Sequence, residues 1–126
     1  MLHHVSFGVA DLDRSAAFYD AALAPLGYVR IWADAKGIGY GYAGGGDKFA
    51  IKLYGGRASP PGGGFHLAFA APSRLAVHRF HSAALEHGGT DDEPPRLWPE
   101  YDADYYAAFV IDPDGYLIEA VTRNSE

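Results

Sequence analysis

Asp112-Pro113-Asp114-Gly115-Tyr116-Leu117-Ile118-Glu119-Ala120-Val121 reads as a tight turn running into a strand. Pro113 presets φ, the two aspartates accept local hydrogen bonds, and Gly115 can take φ > 0. Past the turn, alternation puts Leu117, Glu119 and Val121 on one strand face. A carboxylate between apolar neighbours on a strand face is either an edge accident or a group kept for chemistry. The rest of the chain bears on that choice.

Upstream, residues 2–9 alternate as a strand, with Val5, Phe7 and Val9 on one face and His4, Ser6 and Gly8 on the other. Asp11 is placed to cap a helix to about residue 24, with Leu12, Ala16, Tyr19, Leu23 and Leu26 as its apolar stripe. Residues 28–33, 38–43 and 48–54 follow as three strands of an antiparallel meander. Residues 55–64, rich in Gly and Pro, form the one linker-like segment. Then the order begins again. Residues 65–71 alternate, Ser73 caps a second helix with Val77, Phe80 and Ala84 as its stripe, and residues 94–98, 105–111 and 116–122 read as strands.

Laid over each other, the halves match His4 with His66, Phe7 with Phe69, Phe18 with Phe80 and Gly27 with Gly89. The fourth strands align as Phe49 to Tyr54 over Tyr116 to Val121, which sets Lys52 opposite Glu119. The spacing predicts an α+β fold of one domain: module one at 1–54, linker 55–64, module two at 65–126. Each module is βαβββ, and one module cannot bury both faces of its sheet alone, so the two are expected to pair. The expected result is an eight-stranded, open, barrel-like sheet with a helix outside each module and a cleft enclosed by the concave faces.

Composition narrows the function. With 126 residues, 48% of them apolar, the chain is long enough for one real core. A net charge of −6, with ten scattered Lys and Arg, leads us to expect neither nucleic acid nor membrane as a partner. The absence of cysteine excludes disulfides, thiolate catalysis and Cys-ligated zinc. No basic-then-apolar leader opens the sequence and no apolar run reaches membrane-spanning length, so a cytoplasmic protein is expected.

Parity supplies the candidate site. If the bulky faces of the first strands meet the helices, the small-residue faces turn to the cleft. They carry His4 beside Ser6 and Gly8, and His66 beside Ala68 and Ala70. Two histidines and one carboxylate meet the ligand requirement of an open three-ligand metal site. The same residues read equally well as hydrogen-bonded strand groups. Trp98, Tyr105, Tyr54 and Ser6 are the candidates for the substrate pocket.

The run His4-Val5-Ser6-Phe7-Gly8-Val9-Ala10-Asp11-Leu12-Asp13-Arg14-Ser15, with Phe18-Tyr19, resembles the opening of the vicinal oxygen chelate superfamily. Phe109 to Glu119 resembles its ending. That group holds glyoxalase I, extradiol dioxygenases, and fosfomycin- and bleomycin-resistance proteins. The resemblance implies metal ligands on the first, fifth and eighth strands, here His4, His66 and Glu119, for a divalent ion such as Fe, Mn, Ni or Zn. On the fourth strand, where glyoxalase I-like members carry a carboxylate, this chain has Lys52. Lys52 is then expected to neutralise an anionic group, move a proton, pair with Glu119 and leave the cleft without metal, or lie solvated at an edge.

The implied function is a metal-dependent enzyme of lyase/isomerase, transferase or dioxygenase type, whose small substrate chelates the ion through vicinal oxygens. The alternative is a metal-free protein that sequesters a small molecule, as bleomycin-resistance members do. A homodimer is expected in either case.

Overall fold

The computed structural model describes residues 1–55 and 57–126; Gly56, inside the expected linker, lies outside the described residues. Module one runs β1 (Val5–Val9), α1 (Leu12–Leu23), a 3₁₀ turn (Ala24–Leu26), β2 (Tyr28–Asp34), β3 (Gly37–Tyr42) and β4 (Phe49–Leu53). Module two repeats it as β5 (Leu67–Ala70), α2 (Arg74–Glu86), β6 (Thr90–Leu97), β7 (Tyr106–Ile111) and β8 (Leu117–Thr122). The caps fall where the sequence puts them. Asp11 accepts from the Arg14 amide and Ser73 from the Ala76 amide. Gly27, in the left-handed region at φ 91°, closes the 3₁₀ turn.

The strands form two four-stranded sheets, ordered β1-β4-β3-β2 and β5-β8-β7-β6. The two sheets are not closed into one another. In each, the first and last strands of the module lie parallel at one edge, and the middle strands complete an antiparallel meander. The modules join through their bulky faces. Phe7 stacks flat on Tyr116 with ring centroids 4.0 Å apart, and Phe49 meets Phe69 edge to face at 5.1 Å. Val9, Ile51, Ile118, Ala120 and the inner faces of α1 and α2, which pack on each other, complete one shared core.

Sequence reading stopped short at β6. Pro94 and Pro95 read as a strand start, yet they sit inside an edge strand that begins at Thr90. Register shifts around Glu93 take up the irregularity, and an edge strand can spare the missing amides.

The Asp-Pro-Asp-Gly turn is the clamp between modules. Asp112, 4% exposed, accepts the Tyr19 hydroxyl on Oδ2 at 2.5 Å and the amides of Asp114 and Tyr116 on Oδ1. Asp114 reaches the start of α1, taking the Ala10 amide, the Ser15 hydroxyl and the Arg14 guanidinium. Burial pushes the Asp112 carboxyl up, against the pull of its hydrogen bonds.

Two outcomes follow from the clamp. Tyr19→Phe strands Asp112 Oδ2 in the core and should cost about 1–3 kcal/mol in urea unfolding; a loss below about 0.5 kcal/mol would contradict the clamp. A carboxyl whose folded value is raised keeps its proton longer than in the unfolded chain. Its contribution therefore falls as pH rises from the unfolded range through the folded value, then levels. Measured as the difference in unfolding free energy across that window, Asp112→Asn should gain on the wild type as pH rises. A flat or opposite difference would contradict the raised value.

Candidate functional site

Because Phe7, Val9, Phe69, Ile118 and Ala120 face the shared core, the alternate residues face away from it. On β1 these are Ser6 and Gly8; on β5 they are Ala68 and Ala70, both exposed. The candidate site is built on these outward faces, and each module carries part of it.

Module two carries the better-defined part. Glu119 lies in β8 between Ala68 of β5 and Phe109 of β7, and it is 0% exposed. Its Oε2 accepts the Tyr105 hydroxyl at 2.5 Å. Its Oε1 is buried and has no hydrogen-bond partner among the described residues. His66 Nε2 lies 3.0 Å from that oxygen, close enough for an ion pair but without hydrogen-bond alignment. The His66 side chain is 42% exposed and its ring stands edge-on to Phe109 at 5.4 Å. Burial, then the Glu119 carboxylate, pushes the Tyr105 hydroxyl well up, so it remains a donor at neutral pH.

Aromatic side chains wall this carboxylate. Trp98, Ala107 and Phe109 form a second small core, with Tyr105, Leu117 and Val121 packed on it. The Trp98 indole donates to the Ala107 carbonyl, stacks on Tyr101 at 5.8 Å and lies under the Arg96 guanidinium at 3.4 Å. Trp98 is thus more wall than contact surface.

Module one departs from the sequence overlay. Ser6 pairs with Ala50 in the β1–β4 ladder and Ala68 with Glu119 in the β5–β8 ladder. Since Ser6 corresponds to Ala68, Ala50 occupies the place of Glu119. Lys52, paired with Gly8, corresponds to Val121 instead. Lys52 therefore does not hold the fourth-strand ligand place expected of it. It is exposed and takes part in none of the ion pairs among the described residues. Above Ala50, where β7 has Phe109, β3 has Gly39. The bare Gly39 backbone admits the Trp32 indole, whose nitrogen donates to Asp47 at 3.2 Å; a Cβ on Gly39 would fall 2.1 Å from that nitrogen.

His4 stands just before β1, exposed, with Nδ1 2.9 Å from Nδ1 of His3. It lines a cavity of about 220 Å³ with Tyr28, Tyr42, Phe49 and Phe69. Ser6 is exposed on the open face, and Tyr54 is 68% exposed past the end of β4. Within one chain, then, His66, Glu119 and Tyr105 come together, whereas His4 and Lys52 stand apart from them. No three His, Cys, Asp or Glu side chains converge among the described residues. Sequence reasoning missed Ala50 and the lodging of Trp32, one of its candidate binding aromatics, over Gly39. The signal for Trp32 was the Gly37-Gly39-Gly41 alternation, which clears one face of β3 for a large neighbour.

A family model described as the Glyoxalase/Bleomycin resistance protein/Dioxygenase superfamily matches residues 1–120. No curated protein matches the chain. Among solved structures it is similar to a glyoxalase/bleomycin resistance protein from Albidiferax ferrireducens, at 37% identity and TM-score 0.78, over 94% of each chain. It is also similar to a putative glyoxalase from Bacillus halodurans, at 28% identity and TM-score 0.69, over 96% of this chain and 94% of the other. A glyoxalase I variant from Zea mays shares the fold at 24% identity and TM-score 0.70, with 95% of this chain spanning 45% of that one.

A fully buried carboxylate with one unpaired oxygen costs stability, and a neutral isostere relieves part of that cost. Glu119→Gln should match the wild type in unfolding free energy or exceed it, by up to about 2 kcal/mol. A drop of more than about 1 kcal/mol on calorimetry would show that Glu119 serves the fold instead.

Proposed function

This chain belongs to the Glyoxalase/Bleomycin resistance protein/Dioxygenase superfamily, and on that premise we propose a metal-dependent enzyme whose small substrate chelates a divalent ion through two adjacent oxygens. The observation that carries the reading is the pair formed by Glu119 Oε1, buried and unpartnered, and His66 Nε2, 3.0 Å away without hydrogen-bond alignment. Two donor atoms at right angles around an ion, each bonded at about 2.1 Å, lie about 3 Å from one another. The donor set suits Fe, Mn, Ni or Zn.

His66 and Glu119 would hold the ion, with His4 as third ligand. Within one chain His4 stands apart, and on the outward faces Ser6, Lys52, His66, Ala68 and Ala70 are exposed. We therefore propose a homodimer in which His4 of one copy completes the site begun by His66 and Glu119 of the other, giving two equivalent sites. Ala50, in the fourth-strand place, offers no ligand.

When bound, the ion would act as a Lewis acid on the chelating oxygens. The side chains have their own tasks. Tyr105 holds Oε2 of Glu119. Lys52, an exposed ammonium without an ion-pair partner among the described residues, is available to neutralise an anionic group of the substrate. Lyase/isomerase, transferase and dioxygenase chemistries can all start from such a chelate. A second reading, metal-free sequestration of a small molecule, is favoured by the cavity of about 220 Å³ walled by Tyr28, Tyr42, Phe49 and Phe69.

Metal content by mass spectrometry, on protein made with Mn, Fe, Ni and Zn supplied, separates the two. The enzyme reading expects about one ion per chain in the wild type, and at least tenfold weaker uptake in His66→Ala and in His4→Ala. Equal, negligible uptake in all three, with ligand binding indifferent to chelator, would establish the sequestering protein instead.

A further inference from the structure

We infer that Tyr105 is a positioning residue: its hydroxyl pins Oε2 of Glu119 so that Oε1 alone is presented to the ion. The inference rests on the metal reading above and deepens it. A carboxylate can bind a cation through one oxygen or both. Here the two oxygens have different environments. Oε2 takes a short hydrogen bond from Tyr105, while Oε1, equally part of a side chain with no exposed surface, has no hydrogen-bond partner among the described residues and lies 3.0 Å from His66 Nε2.

Tyr105 is itself held. It sits immediately before β7, where its carbonyl accepts the Trp98 amide at 2.8 Å and its amide donates to Asp102. The Tyr101 ring meets it edge to face at 5.1 Å, and the Arg123 guanidinium stands 5.9 Å from its centroid. The hydroxyl therefore has little freedom to leave Oε2, and the carboxylate little freedom to rotate. Glu119 cannot turn without giving up that bond, since β5 and β7 fix its backbone on both sides.

The consequence concerns how many positions the ion keeps open. With three ligands each bonded through one atom, a six-coordinate ion has three positions left, enough for two vicinal oxygens and one further group. A carboxylate bonded through both oxygens would take one of them away. Second-shell partners of this kind commonly govern both affinity and ligand geometry.

The test compares wild type, Tyr105→Phe and, as a control for aromatic packing, Tyr101→Phe, each titrated with Co²⁺ while the visible spectrum is read. Tyr105→Phe should bind Co²⁺ about 10–100-fold more weakly, with an altered absorption intensity from the changed coordination. Tyr101→Phe should match the wild type. A Tyr105→Phe variant with unchanged affinity and spectrum overturns the inference.

A second arm needs no metal. At fixed pH, ¹⁵N shifts of the His66 ring should change in metal-free Tyr105→Phe, because the released carboxylate can turn toward Nε2; unchanged shifts overturn the inference. If wild type takes up no Co²⁺, the metal reading falls and this arm alone decides the role of Tyr105. Should Tyr105→Phe not fold, wild type still gives an answer. Its Tyr105 hydroxyl proton should appear as a downfield, slowly exchanging resonance, and the absence of that resonance overturns the inference.

Discussion

The contact of Phe7 with Tyr116, two rings lying flat at 4.0 Å, sets the direction of nearly everything else. It joins the first strand of one module to the residue that leads into the last strand of the other, so both sheets bury the same kind of face in one core. Each sheet's opposite face is then covered from within its own module, by Trp32 over Gly39 in one and by Trp98 against Phe109 in the other. The pleat alternates, and whatever lies between the core residues is turned outward. Glu119 is turned outward because Ile118 and Ala120 point in. The Asp112 and Asp114 hydrogen bonds to Tyr19, Ala10, Arg14 and Ser15 hold the two modules in that relation.

Against that background Glu119 is anomalous in a useful way. An outward residue is normally wet, yet Trp98, Phe109, Tyr105, Leu117 and Val121 form a secondary cluster on this face and leave the carboxylate no exposed surface. Desolvating a carboxylate while leaving one oxygen unpaired is unfavourable, and nothing in the packing of β8 demands it. Tyr105 satisfies one oxygen and His66 Nε2 stands 3.0 Å from the other.

The sequence made parity legible and left register illegible. Alternation correctly separated Phe7 and Val9 from Ser6 and Gly8, and Ile118 and Ala120 from Glu119, because period two is written into residue types. The overlay of the fourth strands then set Lys52 opposite Glu119. The ladders put Ala50 there, two residues away. A shift of two preserves parity, so no hydrophobic pattern can detect it; only hydrogen-bond partners do. Pro94 and Pro95 misled for a related reason, since their tolerance depends on β6 being an edge strand, a property of topology. Tyr105 was legible as a candidate but its partner was not, because the pairing spans the β7–β8 turn and depends on rotamers. His4 was legible by its match to His66, but within one chain it lines a cavity to which neither His66 nor Glu119 contributes.

Crystals grown with Mn²⁺ and measured on both sides of its absorption edge address the centre of this account. We predict one anomalous peak per chain, within roughly 2–2.5 Å of both Glu119 Oε1 and His66 Nε2, with His4 of a second copy completing the set. Well-ordered density for Glu119 and His66 with no peak between them would contradict it.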